Sequence, residues 1–167
     1  MGRSFAGNRK RRVLGGLILR AVIQRVGEAE VVIDGKLYSS IKQGLLVLLA
    51  VAPGDDESDI KYIVDKTVNL RIFEDSNEKM NLSVNDVSGE ILLVSQFTLF
   101  GDCRKGRRPD FTSSCEPVKA KIIYEKTINE FNNRGIDVKT GVFGADMKVG
   151  LINDGPVTIL LDSSKIF

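Results

Sequence analysis

The stretch "RAVIQRVGEAEVVIDGKLYSSI", residues 20–41, constrains the fold more than any other part of the chain. Apolar and polar residues alternate along it, on both sides of an Asp34–Gly35 pair. Such a pair tolerates the positive φ angles of a tight hairpin turn, so the alternation reads as two antiparallel strands. "LLVLLAV", residues 45–51, follows without a polar position. That is the pattern of a strand buried on both faces, and it is too short to cross a membrane. A chain that begins this way is committed to a sheet.

The remaining segments add helices to that sheet. "DESDIKYIVDKTVNL", residues 56–70, places Ile60, Ile63, Val64, Thr67 and Val68 on one helical face, with acids at its start. "PVKAKIIYEKTINEFNNRG", residues 117–135, reads as a second helix with Pro117 early and Gly135 at the stop. "RIFED" and "EILLVSQFTLF" read as strands, and a polar, basic loop spans residues 101–116. "DVKTGVF", "MKVGLIN" and "PVTILLD" return to strand patterning. The expected class is α+β, mostly antiparallel sheet with two helices covering one face. Regular alternation starts only at Arg20. Residues 1–19 are therefore expected to be a basic, non-structural extension, and residues 20–167 one domain.

Charge is distributed unevenly. Residues 1–19 hold five of the 24 Lys and Arg and none of the 22 acids, so the body carries 19 cations against 22 anions. Contact with nucleic acid then has to use a local basic patch. An Arg-rich, acid-free start fits an organelle-targeting peptide, a non-native leader or upstream translation from a misassigned start codon; an RNA-binding arm fits less well. Cys103 and Cys115 form neither a metal-binding nor a disulfide-framework pattern, which suits a reduced, cytoplasmic setting.

The chain has no histidine. Ser-His-Asp and Cys-His triads, histidine bases and the common zinc sites are excluded together. Three segments remain as candidate chemistry. The apolar run at residues 91–94 changes abruptly to Ser95, Gln96 and Thr98, where a buried strand should not carry hydrogen-bonding side chains without partners. "CRKGRRPDF" follows and holds Arg104, Lys105, Arg107 and Arg108 around Gly106. It is either a solvated surface loop or a phosphate-binding one, and its place after the polar strand end favours the second. In "NDGPVT", residues 153–158, Gly155 permits close approach of another molecule, while Pro156 lacks an amide donor and permits a cis bond. Taken alone, the segment reads as a tight turn between two strands.

Together these segments resemble the D-aminoacyl-tRNA deacylase family. The resemblance runs from Arg20 to Phe167 and rests on "RAVIQRV", "KMNLSV", "SQFTLFGD" with "RKGRRPDF", "GVFGADMKV" and "NDGPVT", in that order. Members begin with Met where Leu19 stands, which makes a misassigned start the leading account of the extension. The resemblance implies a mixed, barrel-like sheet roll and an enzyme of chiral proofreading. It would hydrolyse the ester joining a D-amino acid to the 3′-terminal adenosine of tRNA, without metal or cofactor. Ser95, Gln96, Phe97 and Thr98 are the implied catalytic segment. Gly155 and Pro156 are implied to form a cis pair that enters the active site of the partner subunit in a homodimer. A sister family has Pro in place of the first Ser and a trans Gly-Pro, so Ser95 points to the standard type. In such a site backbone amides near Phe97 and Thr98 would hold the oxyanion, with the ribose 2′-OH assisting in place of a protein base; Thr98 as a covalent nucleophile is the weaker alternative, since no side chain is an obvious base for it.

Backbone crowding at the Gly-Pro pair would reject L-residues while tolerating many D side chains. Glycine has no side chain to reject, so glycyl-tRNA, including glycine mischarged on tRNA(Ala), is an expected substrate. Arg104, Lys105, Arg107 and Arg108 are expected to meet acceptor-stem phosphates. Two rival classes stand beside this reading: a non-catalytic tRNA-binding module, and an editing domain for mischarged L-aminoacyl-tRNA.

Overall fold

The computed structural model describes residues 18–166. The sheet is organised by its first strand, β1 (Arg20–Ile33). The expected hairpin joins it to β2 (Lys36–Ile41), with Asp34 at φ 49° and Gly35 at φ 74° in the turn. One edge of β1 pairs with β3 (Gly44–Ala50) over its first half and with β2 over its second. Helix α1 (Glu57–Asn69) crosses over next. A short hairpin of β4 (Phe73–Glu74) and β5 (Met80–Leu82) follows, then β6 (Glu90–Ser95), parallel to β3. Helix α2 (Pro117–Asn133) leads to β7 (Val138–Thr140), parallel to β6. The last strand, β8 (Lys148–Asp162), runs antiparallel along the other edge of β1. The Ser39 hydroxyl donates to the Thr140 carbonyl at 2.7 Å, drawing β2 toward β7 and rolling the sheet like a barrel.

Burial follows the alternation. Leu45, Val47 and Leu49 of β3 and Ile91 and Leu93 of β6 pack against the helices, while Leu46, Leu92 and Val94 fill the inside of the roll. Each such fully buried side chain contributes roughly 1.5–3 kcal/mol. Helix α1 buries the expected Ile60, Ile63, Val64, Thr67 and Val68, and Asp56 caps it, its side chain accepting from Ser58 N at 2.8 Å. Helix α2 buries Ala120, Tyr124, Thr127 and Phe131, and Gly135 (φ 74°) ends it with its N–H on Asn132 O.

Three expectations differ from the structure. The strand expected through Phe100 ends at Ser95, because Phe97–Phe100 forms a 3-10 turn instead. "MKVGLIN" and "PVTILLD" are one strand, so "NDGPVT" is no turn between strands: the ladder with β1 holds both flanks in line and only the middle leaves it. Leu19, which the reading leaves in the extension, is fully buried, with its N–H on Ser163 Oγ at 3.0 Å and its carbonyl accepting from Ser163 N at 3.0 Å. Residues 1–17 of the expected extension lie outside the described residues.

Candidate active site

Strand β6 delivers the polar segment to the end of the sheet. Ser95 pairs with Leu49, and Gln96 N donates to Leu49 O at 2.8 Å before the chain leaves the strand. The 3-10 turn closes with Leu99 N on Gln96 O and Gly101 N on Thr98 O. The amides of Phe97 and Thr98 come first in the turn and have no acceptor among the described residues, as the opening of any helical turn leaves them. The Gln96 side-chain amide donates to Thr98 Oγ1. Phe97 is exposed and meets the Phe111 ring edge-on, with centroids 5.3 Å apart.

Ser95, Gln96 and Phe97 line a cleft of about 540 Å³, within the size range of small-ligand sites. Its inner wall is apolar, with Leu49, Val51, Val94, Ala120 and Tyr124. Tyr124 donates to Leu93 O at 2.8 Å, and burial pushes its phenol above the usual range. The "GVFGADMKV" segment adds Phe143, Asp146 and Met147 to the lining. Thr98 does not itself line the cleft; it holds Gln96, which does.

Gly155 and Pro156 are elsewhere. Gln24 pairs with Thr158 and Val26 with Asn153, so Asp154, Gly155, Pro156 and Val157 stand opposite Arg25 alone. This four-against-one bulge pushes the Gly155–Pro156 peptide, which is cis, to the surface, where both residues are exposed. A bulge is where a strand tolerates a residue lacking an amide donor. Arg25 lies beneath it, nearly buried, with Nε on Asp154 O at 2.9 Å and Nη1 on Ile72 O at 2.7 Å. The Glu74 and Asp154 carboxylates stand 3.9 and 3.8 Å from its nitrogens. Gln24 Oε1 accepts from Asn153 Nδ2 at 3.2 Å and from Thr158 Oγ1, and Asn153 Oδ1 accepts from Val157 N at 3.2 Å.

The basic loop is closed at its base by two backbone hydrogen bonds between Asp102 and Asp110. Arg104 folds back onto Asp102, its Nε at 2.9 and 3.0 Å from the two carboxylate oxygens. Those hydrogen bonds hold the Asp102 carboxyl down at about 2. Lys105, Arg107 and Arg108 are exposed and form no salt bridge among the described residues.

One chain thus brings Ser95, Gln96, Phe97 and Thr98 together but keeps Gly155, Pro156 and the four loop cations off the cleft. Sequence reasoning missed Gln24, Arg25, Asn153 and Thr158 as supports of the bulge, and Tyr124, Phe143 and Met147 as cleft walls. Arg25 carried a faint signal, being a charge among apolar positions in the first strand. Among the described residues, no three His, Cys, Asp or Glu side chains group as metal ligands, and no helix is long and apolar enough to cross a membrane.

A family model described as D-Tyr-tRNA(Tyr) deacylase matches residues 22–162. The chain belongs to this deacylase family. It is 57% identical over 149 residues to the D-aminoacyl-tRNA deacylase of Thermosipho africanus, covering 89% of this chain and all of that one. The D-aminoacyl-tRNA deacylase of Clostridioides difficile is 55% identical over the same coverage. Among solved structures, the c-Myc DNA unwinding element binding protein superposes with a TM-score of 0.80 at 40% identity, covering 85% of this chain and 97% of that one. A probable eukaryotic D-amino acid tRNA deacylase gives 0.74 at 20% identity, covering 87% and 99%, which speaks for the fold alone. The deacylase-family roll is therefore the architecture that carries the cleft and the bulge.

Proposed function

We propose that this chain hydrolyses the ester bond of D-aminoacyl-tRNA, releasing free tRNA and the D-amino acid. The carrying observation is the cleft at the end of β6, where Ser95 and Gln96 sit beside two uncommitted amides in a chain without histidine. An aminoacyl ester is already activated, so a water held against the carbonyl and a receptor for the developing oxyanion are enough. The amides of Phe97 and Thr98 supply that receptor. The water adds to the carbonyl carbon, the bond to the ribose 3′-oxygen breaks, and the neighbouring 2′-OH relays the proton. Thr98 is not the nucleophile in this scheme. Its oxygen already accepts from Gln96, and a side-chain amide cannot take its proton.

The chiral filter is Gly155–Pro156 of a partner subunit in a homodimer. What supports this is the separation within one chain: the pair is exposed and does not line its own cleft. A D-residue presents hydrogen to that backbone, and an L-residue drives its side chain into it. Glycine passes, so glycyl-tRNA, including glycine on tRNA(Ala), is a substrate. Lys105, Arg107 and Arg108, with Arg104 contributing less because Asp102 neutralises it, face the acceptor-stem phosphates.

Steady-state hydrolysis of D-tyrosyl-, glycyl- and L-tyrosyl-tRNA tests this. Turnover of the first two with the third spared is expected. Binding without turnover would make the chain a nucleic-acid-binding module. Preferential hydrolysis of an L-ester would make it an editing domain.

A further inference from the structure

We infer that Arg20 is a positioning residue for this reaction, holding from behind the 3-10 turn that presents the Phe97 and Thr98 amides. The inference rests on the reading of that turn as the oxyanion site. Arg20 opens β1 and sits opposite Asp162 in the β1–β8 ladder. Its Nη1 donates to Leu99 O at 3.1 Å, at the C-terminal end of the turn. Its Nε and Nη2 lie 3.4 and 3.2 Å from Asp162 Oδ2, and its guanidinium carbon is 4.9 Å from the centre of the Phe100 ring.

Each contact fixes another. Asp162 is fully buried, and its other oxygen accepts from Ser164 N at 2.9 Å and from the Ser164 hydroxyl. The carboxylate cannot swing away, so the guanidinium plane is set by it. The guanidinium donates one N–H to Leu99 O and lies over the Phe100 ring. Phe100 in turn packs on Ala50 and Ala52, whose small side chains leave room for the ring. A four-residue turn makes too few hydrogen bonds to hold its own shape. The direction of the Phe97 and Thr98 amides therefore depends on what grips Leu99 and Phe100. Arg20 grips both, and it is not among the residues lining the cleft. It acts through the turn rather than on the substrate. Lysine cannot replace it, because a single ammonium has neither the fork for two acceptors nor the plane for the ring.

The test is steady-state deacylation of D-tyrosyl-tRNA by Arg20→Met and Arg20→Lys, with Phe97→Pro, which removes one of the two amides at the first position of the turn, alongside. Phe131→Leu, deep in the core and away from the turn, serves as a stability control. Because a misplacement of about 1 Å in a catalytic group costs on the order of 100-fold, Arg20→Met should lose roughly 10- to 100-fold in kcat. Arg20→Lys should lose less, and KM should stay near wild type in both. Amide exchange at Leu99 and Gly101 should quicken in the two variants, while Phe131→Leu lowers Tm and keeps kcat. If Arg20→Met does not fold, Arg20→Lys carries the same comparison. Wild-type kcat in the Arg20 variants, a rise in KM alone, or an equal kcat loss in Phe131→Leu would overturn the inference. If Phe97→Pro keeps full kcat, the reading of the turn as the site falls, and the Arg20 inference with it.

Discussion

The Phe97–Phe100 turn and the Gly155–Pro156 bulge are both departures from a strand, and they are held in opposite ways. The turn ends β6 and is rooted in the core through Phe100 and the buried Asp162. The bulge interrupts β8, is exposed, and is held by polar side chains, with Arg25 at the centre. Both hang from β1, the turn at Arg20 and the bulge at Arg25. Five strand residues separate these positions by roughly 16 Å. In the homodimer proposed above, the cleft of one copy would meet the exposed backbone wedge of the other. An ion pair with a buried carboxylate and a buried ring thus anchor the part proposed to do chemistry, and hydrogen bonds beneath an exposed backbone hold the part proposed to choose the substrate.

The comparison breaks most sharply at Gly155. Its φ is 126°, and an added Cβ would lie 2.7 Å from Arg25 Nη2 and 2.8 Å from Val157 Cγ2. Gly155→Ala should therefore shift the bulge and cost on the order of 100-fold in D-aminoacyl-tRNA hydrolysis. Backbone strain of about 1–3 kcal/mol would lower Tm by roughly 2–12 °C. Full activity with a lowered Tm would show that the wedge does not touch substrate.

Arg25→Met comes next. It leaves the Asp154 and Ile72 carbonyls without their donor, at about 1–3 kcal/mol for each one that water cannot reach. Thermal unfolding should show a clear drop in Tm, and deacylation should fall about tenfold as the bulge loosens. Undiminished discrimination between D- and L-tyrosyl esters in this variant would mean that Asn153 and Gln24 suffice to hold it.

Just before the cap of α1, Asp55 adds a contrast in pH. Burial, then the nearby Asp59, Asp162 and Asp56 charges, raise its carboxyl to about 7 despite the hydrogen bond from Ala52 N. Its Oδ1 is buried without a hydrogen-bond partner among the described residues. Its ordinary value is 3.8, so the folded state holds the proton more tightly than the unfolded chain. The stabilisation is complete below about pH 4 and is lost as pH rises toward 7. Tm should fall by a few degrees from pH 5 to pH 8, and Asp55→Asn should flatten that fall. An unchanged slope would assign the pH dependence to other groups.

How much of this was legible in the sequence follows the same division. Local pattern predicted β1, the Asp34–Gly35 turn, both helices and their buried faces, because each needs only neighbours along the chain. It also placed Ser95–Thr98 at a strand end. It missed that the strand stops at Ser95, since a 3-10 turn held by Arg20 and Phe100 depends on residues far away in sequence. It read "NDGPVT" as a turn, since Gly-Pro punctuates most chains. Only the ladder with β1 and the support of Arg25 keep β8 continuous through it. Tyr124 as a cleft wall gave no signal, and Phe143 stood out only as part of the "GVFGADMKV" motif, because an aromatic lining a cleft and one filling a core look alike in sequence.

The smallest expected effect is in the basic loop, where the two halves of one patch can be set against each other. Arg104 is committed to Asp102, whereas Arg107 and Arg108 have no acidic partner among the described residues. A cation already paired with a carboxylate displaces few counterions when tRNA arrives, and an unpaired one displaces nearly its full share. Binding of non-hydrolysable aminoacyl-tRNA, measured across a salt series, should therefore respond unequally. The double change Arg107→Gln with Arg108→Gln should flatten the plot of log affinity against log salt by about 1.4–1.8, the share of two phosphate contacts. Arg104→Gln should flatten it by less than half as much, and Asp102→Asn should steepen it by freeing Arg104. kcat at saturating tRNA should stay unchanged throughout, because the loop cations do not line the cleft. Equal slopes for all four proteins would make the loop a solvated surface and move the phosphate contacts elsewhere.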